Sequence, residues 1–298
     1  MKKRVLSAMP SQTFAEGALD AAQQTGKLSY DGYKEVWSDE FDGDSLNRAD
    51  WNVETHEKGW VNNERQEYVD SAENIQVKDG KLIINPVKKV TDGDTGSTKE
   101  AASYTSGRVS TQNKQTFIYG RFECRAKVPK GQGYLPAFWL MANDENVYGQ
   151  WPRCGEIDCM EVMGQETNKA YGNPHSQSQG TYTITDGADF SDDFHIYTCD
   201  WEPGKITWYV DGVKYHEESE WHSTTVGQGT LAYPAPFDQP FYIILNLAVG
   251  GSWVGNPNDE TSFENNPYVI DYVRVYQKDS YDEDVKRPGK GSCTYIVR

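Results

Sequence analysis

The run Phe117-Ile118-Tyr119-Gly120-Arg121-Phe122-Glu123-Cys124-Arg125-Ala126-Lys127-Val128 alternates apolar and polar residues. Side chains on a strand point to opposite faces in turn. Ile118, Phe122, Cys124, Ala126 and Val128 are therefore expected on one face, with Tyr119, Arg121, Glu123, Arg125 and Lys127 on the other. A helix would repeat its apolar positions every three or four residues instead. The same pattern recurs along the chain. Residues 205–215 read as a hairpin that turns at Asp211-Gly212, because Asp-Gly accepts the positive φ angles of a tight primed turn. Phe241–Val249 and residues 268–276 are further strands, and long helical periodicity is absent. At 298 residues the chain is long enough for one large core. Many antiparallel strands around one core imply two packed sheets, a β-sandwich.

One segment carries most of the chemistry. Trp151-Pro152-Arg153-Cys154-Gly155-Glu156-Ile157-Asp158-Cys159-Met160-Glu161-Val162 places three carboxylates within six residues of a strand-like stretch. Glu156 and Asp158 point one way and Ile157 the other. By strict alternation Glu161 falls on the side of Ile157, inside the core, where an unpaired carboxylate is costly. One extra residue, a β-bulge at Cys159-Met160, restores the parity and brings Glu161 round to the other two. Crowded carboxylates resist ionising together, which keeps one of them protonated near neutral pH. The plain alternative is a strand presenting three solvated carboxylates.

The motif Glu-Ile-Asp-x-x-Glu, preceded by Trp-Pro-x-Cys-Gly, resembles the signature of glycoside hydrolase family 16 in its bulged, laminarinase-like form. Gly59-Trp60-Val61-Asn62-Asn63-Glu64-Arg65-Gln66, Tyr104-Thr105-Ser106-Gly107-Arg108, Tyr119-Gly120-Arg121-Phe122-Glu123, Pro136-Ala137-Phe138-Trp139-Leu140-Met141 and Asn246-Leu247-Ala248-Val249-Gly250-Gly251 are similar to further laminarinase blocks, in the expected order. The resemblance covers roughly residues 34–277. It implies a jelly roll whose concave sheet carries an open substrate cleft, with Glu156 as nucleophile, Glu161 as general acid/base and Asp158 between them. Retaining glycosidases hold their two carboxyl groups about 5–5.5 Å apart. Spacing alone leaves that geometry open, since a fully extended strand would separate the two Cα atoms by more than about 13 Å.

The resemblance also marks a rim. Trp60, Asn62, Asn63, Glu64 and Arg65 fall in a glucose-binding loop, with turn formation as the alternative for the two asparagines. Arg108 either binds a sugar hydroxyl or pairs with a carboxylate. Trp139, Trp151 and Trp253 either stack on sugar rings or pack in the wall of the cleft. The loop holding Trp253 departs from the family in having Val254 where relatives have proline. His175 lies where relatives often have a cleft histidine, with an ordinary loop histidine as the alternative, whereas His56, His195, His216 and His222 read as ordinary histidines without metal-like spacing. A structural calcium is expected at Glu40, Gly80 and Asp271, by likeness to a convex-side site in relatives. Asp271 shares a face with Val269, Val273 and Val275, so it needs a cation or a Lys or Arg partner. No cofactor is expected for catalysis.

Composition narrows the partners. The net charge of −16 disfavours nucleic acid, anionic membranes and sulfated polymers, but not a neutral β-glucan. No apolar run approaches the ~20 residues of a membrane span. The five cysteines, Cys124, Cys154, Cys159, Cys199 and Cys293, suit buried reduced thiols better than a disulfide framework. The start, Met1-Lys2-Lys3-Arg4, looks like a signal peptide, but Ser11, Gln12 and Glu16 interrupt its apolar stretch. Three regions are expected: an N-terminal extension over 1–33 with a short helix near Ala18–Gln24, a catalytic β-sandwich over 34–277, and a charged tail over 278–298. Residues 91–102 read as a loop. The expected protein is a monomeric, extracellular endo-acting retaining β-1,3-glucanase acting on laminarin-like glucan, with mixed-linkage β-1,3-1,4-glucan as a further candidate substrate. A lichenan- or galactan-type hydrolase, a transglycosylase and a non-catalytic glucan-binding protein are the alternatives.

Overall fold

Alternating strands that each have one apolar face can bury those faces only against one another. In a computed structural model, residues 26–89, 102–175, 179–185, 187–221, 224–225 and 227–288 are described. Among them every regular element is a strand. The expected helix near residues 18–24, most of the 91–102 loop, His222 and Cys293 lie outside the described residues. Two eight-stranded sheets make a sandwich. One sheet runs Gly180–Thr183, Lys169–Asn173, Glu156–Glu161, Tyr134–Ala142, Phe241–Val249, Arg108–Ser110 and Asn52–Val53, with Thr116–Phe117 also paired to Phe241–Val249. The other runs Val213–Glu218, Lys205–Val210, His195–Glu202, Gly120–Lys127, Tyr268–Lys278, Leu82–Ile84 and Ile75–Val77, with Tyr33–Asp39 also paired to Tyr268–Lys278.

Between the sheets lie Phe138, Leu140, Ile157, Met160, Ile243, Leu245, Phe122, Cys124, Trp201 and Trp208, all fully buried. A fully buried side chain of this size contributes about 1.5–3 kcal/mol, so the inward set also holds the outward set in place. The hairpin forms as expected, Lys205–Val210 and Val213–Glu218 joined at Asp211 and Gly212 with φ of 49° and 77°. Cys124, Cys154, Cys159 and Cys199 are buried free thiols, as expected.

The 117–128 segment differs from its expected form. Phe117 pairs in the first sheet and Gly120–Lys127 in the second. The chain crosses between sheets at Ile118 and Tyr119, where Tyr119 adopts a φ of 62°. That corner resets the parity: Ile118 is exposed and Tyr119 is buried in the core, while Phe122 to Val128 alternate as expected.

Residues 26–33 lie on the outer face of the second sheet, where Leu28 and Tyr30 pack against Ile196. Tyr30 donates to the buried Glu123, and the Arg121 guanidinium lies 4.0 Å from the Tyr30 ring centroid. Covering this face lets Arg121 and Glu123 be buried despite pointing away from the core, while Arg125 is buried against the Phe194 ring.

The expected calcium set is not assembled in this arrangement. Arg274 forks onto both oxygens of Glu40 at 2.8 Å, and Asp271 meets Arg125 at 2.7 Å and Lys81 at 3.3 Å. All four carboxylate oxygens already face cationic groups, so Asp271 takes the Lys or Arg alternative and the donor set does not fit a calcium ion.

Candidate active site

The bulge forms where parity requires it. Against Tyr134–Ala142, Met160 pairs with Phe138 and Asp158 with Trp139, so Cys159 is skipped. Ile157 and Met160 point inward, while Glu156, Asp158 and Glu161 stand opposite Met141, Trp139 and Ala137 on the outer face. The same irregularity appears against Lys169–Asn173, where Asp158 pairs with Asn173 and Glu161 with Tyr171.

The three carboxylates differ in environment. Glu156 accepts a hydrogen bond from the Trp151 indole N–H at 2.7 Å, and His175 Nε2 lies 3.7 Å from its other oxygen. Asp158 is almost fully buried, and burial first, then the charges of Glu161 and Glu156, pushes its pKa well above the usual carboxylate range. Glu161 is pushed up to about 8, chiefly by desolvation and then by the charge of Glu156. One group is thus held by a donor, and two retain protons near neutrality, which is the division needed for paired acid and nucleophile chemistry. Ligand atoms of Glu156, Asp158 and His175 lie within 4.8 Å of one another, so His175 joins the trio.

A second constellation lies farther along the sheet. Tyr171, Glu161, Ala137, Asn246 and Arg108 stand in one row across it. Neighbouring strands are ~4.8 Å apart, so Arg108 lies roughly 14 Å from Glu161. Arg108 takes the pairing alternative, with Nε 2.5 Å from Glu54, while its guanidinium lies 4.9 Å from the Trp139 ring and 5.2 Å from the Trp60 ring. Burial raises the Glu54 pKa, but Arg108, Ser110 and His56 outweigh that and hold it below the usual range. Trp139 is half-buried and donates to Asn246 at 2.7 Å, so wall packing describes it better than an open platform.

Trp60, Trp151 and Trp253 expose 44%, 48% and 44% of their surface, while Trp51, Trp201, Trp208 and Trp221 expose none. Only the first group offers ring faces to a ligand. Trp60 stacks on His56 at 3.5 Å, Trp151 stands edge-on to His175 at 5.3 Å, and Trp253 edge-on to Tyr171 at 5.4 Å. Asn62 and Asn63 are turn residues, with φ of 51° and 55°. They also tie two rim loops together, through Asn63 Nδ2 to Ser252 Oγ at 3.0 Å and Ser252 N–H to the Asn62 carbonyl at 2.8 Å. Glu64 lies beneath them, its pKa raised by burial against hydrogen bonds from Gln66 and Asn62. Val254 is buried, and its carbonyl accepts from Gln132 and Gln165.

Glu54, His56 and Tyr171 were not expected at the site. Glu54 and Tyr171 carry no local sequence signal, and His56 read as an ordinary histidine because nothing in its spacing shows what it stacks on. Asn246 stands within a family-like block, but only the sheet register places it beside Trp139.

An all-β sandwich with three carboxylates gathered on one outer sheet face, bordered by exposed tryptophans, defines a carbohydrate-cleaving class of protein. The chain belongs to glycosyl hydrolases family 16, whose profile matches residues 62–274. It is 38% identical over 263 residues to the glucan endo-1,3-beta-glucosidase A1 of Niallia circulans, covering 82% of this chain and 38% of that protein, and so spans well under half of that relative. It is 38% identical over 257 residues to the glucan endo-1,3-beta-glucosidase of Cryptopygus antarcticus, covering 80% of this chain and 90% of that one. The solved endo-beta-1,3-glucanase of Pyrococcus furiosus superposes with a TM-score of 0.69 at 37% identity, covering 83% of this chain and 95% of that one.

Proposed function

We propose that this chain hydrolyses internal β-1,3 links of a neutral, laminarin-like β-glucan by double displacement, with retention at the anomeric carbon. The observation that carries the reading is the carboxylate trio turned to one face by the bulge, in a chain 37–38% identical to endo-1,3-glucanases. In this reading Glu156 is the nucleophile, oriented by the Trp151 N–H. Glu161, protonated near neutrality, gives its proton to the glycosidic oxygen as the Glu156 ester forms. Ester formation removes the charge on Glu156, one of the two causes that hold the Glu161 pKa high. With its pKa lowered, Glu161 stays ionised after giving up its proton and serves as general base, accepting a proton from the water whose oxygen attacks the glycosyl–Glu156 ester. Protonated Asp158 hydrogen-bonds Glu156, and can strengthen or release that bond as the Glu156 charge comes and goes.

The exposed rings of Trp60, Trp151 and Trp253 suit the flat apolar faces of pyranose units. The charge of −16 imposes no penalty on an uncharged polymer. A polymer of this kind is met outside cells, which supports an extracellular setting. The test is incubation with laminarin, barley β-glucan and agarose, followed by reducing-end release and NMR of the first anomer formed. Release from laminarin as the β-anomer is expected. No release from any β-1,3-linked glucan sinks the reading, and the barley arm reports whether mixed linkages are also cut.

A further inference from the structure

The bulge that aims Glu161 is braced from the far side of the sandwich. On the Lys169–Asn173 side, Asp158 pairs with Asn173 and Glu161 with Tyr171, leaving Gly172 alone to face the stretch Cys159-Met160. Gly172 is required there by what lies beneath it. A Cβ at that position would sit 2.5 Å from Trp208 Cδ1, 2.8 Å from Trp208 Nε1 and 2.5 Å from the Tyr215 hydroxyl. Trp208 belongs to Lys205–Val210 of the opposite sheet, pairs with Cys199 and is fully buried. Its indole N–H crosses the core and donates to the backbone carbonyl of Asp158 at 2.8 Å. A bulge disrupts the ladder locally, so polar backbone groups beside it depend on donors from elsewhere. Here the donor comes from the other sheet and lands on the central residue of the trio.

We propose that Trp208 is a positioning residue for the reaction: its N–H, admitted by Gly172, fixes the bulge and thereby the placement of Asp158 and Glu161 relative to Glu156. The inference rests on Glu156 and Glu161 being the reacting pair. Trp208 touches no substrate and acts only through the Asp158 backbone. A tryptophan that merely filled the core would affect stability when altered. One that holds the bulge also affects how the carboxylates share protons, because after burial the charges they place on one another are the next cause raising Asp158 and Glu161.

The decisive variant is Trp208→Phe, which keeps an aromatic ring and removes the donor. Expected are a kcat lower by about tenfold or more, a KM within about twofold, and an alkaline limb of the pH–rate profile displaced by roughly half a pH unit or more. Gly172→Ala pushes the indole from the other side and is expected to give the same signature. Should either fail to fold, replacing Trp208 by 3-benzothienylalanine keeps the bicyclic shape with sulfur in place of N–H. A folded variant lacking the donor, with the wild-type kcat and pH profile, overturns the proposal whatever its melting temperature. Glu156→Gln is measured alongside. Turnover by that variant would refute the reacting pair itself, whereas an inactive Glu156→Gln beside unaltered Trp208 variants refutes the positioning role alone.

Discussion

Glu161→Gln should change the dependence of stability on pH, not only the rate. The carboxyl of Glu161 is raised from 4.5 to about 8 by desolvation and the charge of Glu156. In the unfolded chain it loses its proton near the ordinary value, and in the folded chain only near 8. Between those limits the folded state binds more protons, so stability falls as pH rises and the loss is complete above the folded pKa. Each pKa unit corresponds to 1.36 kcal/mol, so ionising Glu161 in place costs on the order of 5 kcal/mol. Glutamine keeps the shape and carries no charge, so the variant escapes that loss. It also removes one of the charges that raise Asp158, which adds to the effect in the same direction. With about 2–4 °C of melting temperature per kcal/mol for a large domain, the two proteins should melt together near about pH 4 and differ by roughly 10–20 °C near pH 9, with the variant higher. Calorimetry of both chains in half-unit steps from about pH 4 to 9 measures this. A difference in melting temperature that stays constant across the range refutes the assignment of a buried proton to Glu161.

Glu156→Gln is expected to lower kcat by about a thousandfold or more while laminarin-oligosaccharide binding persists by calorimetry, since the nucleophile is lost but the ring platforms are intact. The wild-type kcat/KM should fall above an apparent pKa near 8, as Glu161 loses its proton, read from initial rates across pH. Trp151→Phe removes the donor to Glu156 and should cost about ten- to a hundredfold in kcat, because a hydrogen bond to a charged group contributes about 1.5–3 kcal/mol. Tyr30→Phe should lower the melting temperature without altering kcat, since Tyr30 donates to Glu123 on the sheet opposite the carboxylate trio. A changed kcat would mean that the two faces are coupled.

The strands were legible where local pattern and burial agree. Phe241–Val249 and the 205–215 hairpin lie where alternation and Asp-Gly put them, because period and turn chemistry are local properties. The bulge was legible for a related reason: Glu161 on the core face would have been an unpaired buried charge, and one extra residue is the least disruption that removes it. Parity was misread at Ile118 and Tyr119, because nothing in a single strand's pattern says that the chain changes sheets there.

What needed the tertiary structure is whatever depends on residues distant in sequence. Whether Asp271 meets a metal or a guanidinium depended on Arg125, 146 positions away. Whether Arg108 was free to bind a sugar depended on Glu54, and that strand pairs with its own only through the sheet. Even the bulge, required by six residues of sequence, is held by Trp208 from the other side of the core, 50 positions on. The sequence by itself determined that three carboxylates share a face, since alternation and the cost of a buried charge act within one strand. Only the packing of two sheets decided which of them keep their protons, because desolvation and neighbouring charge are set by everything folded around them.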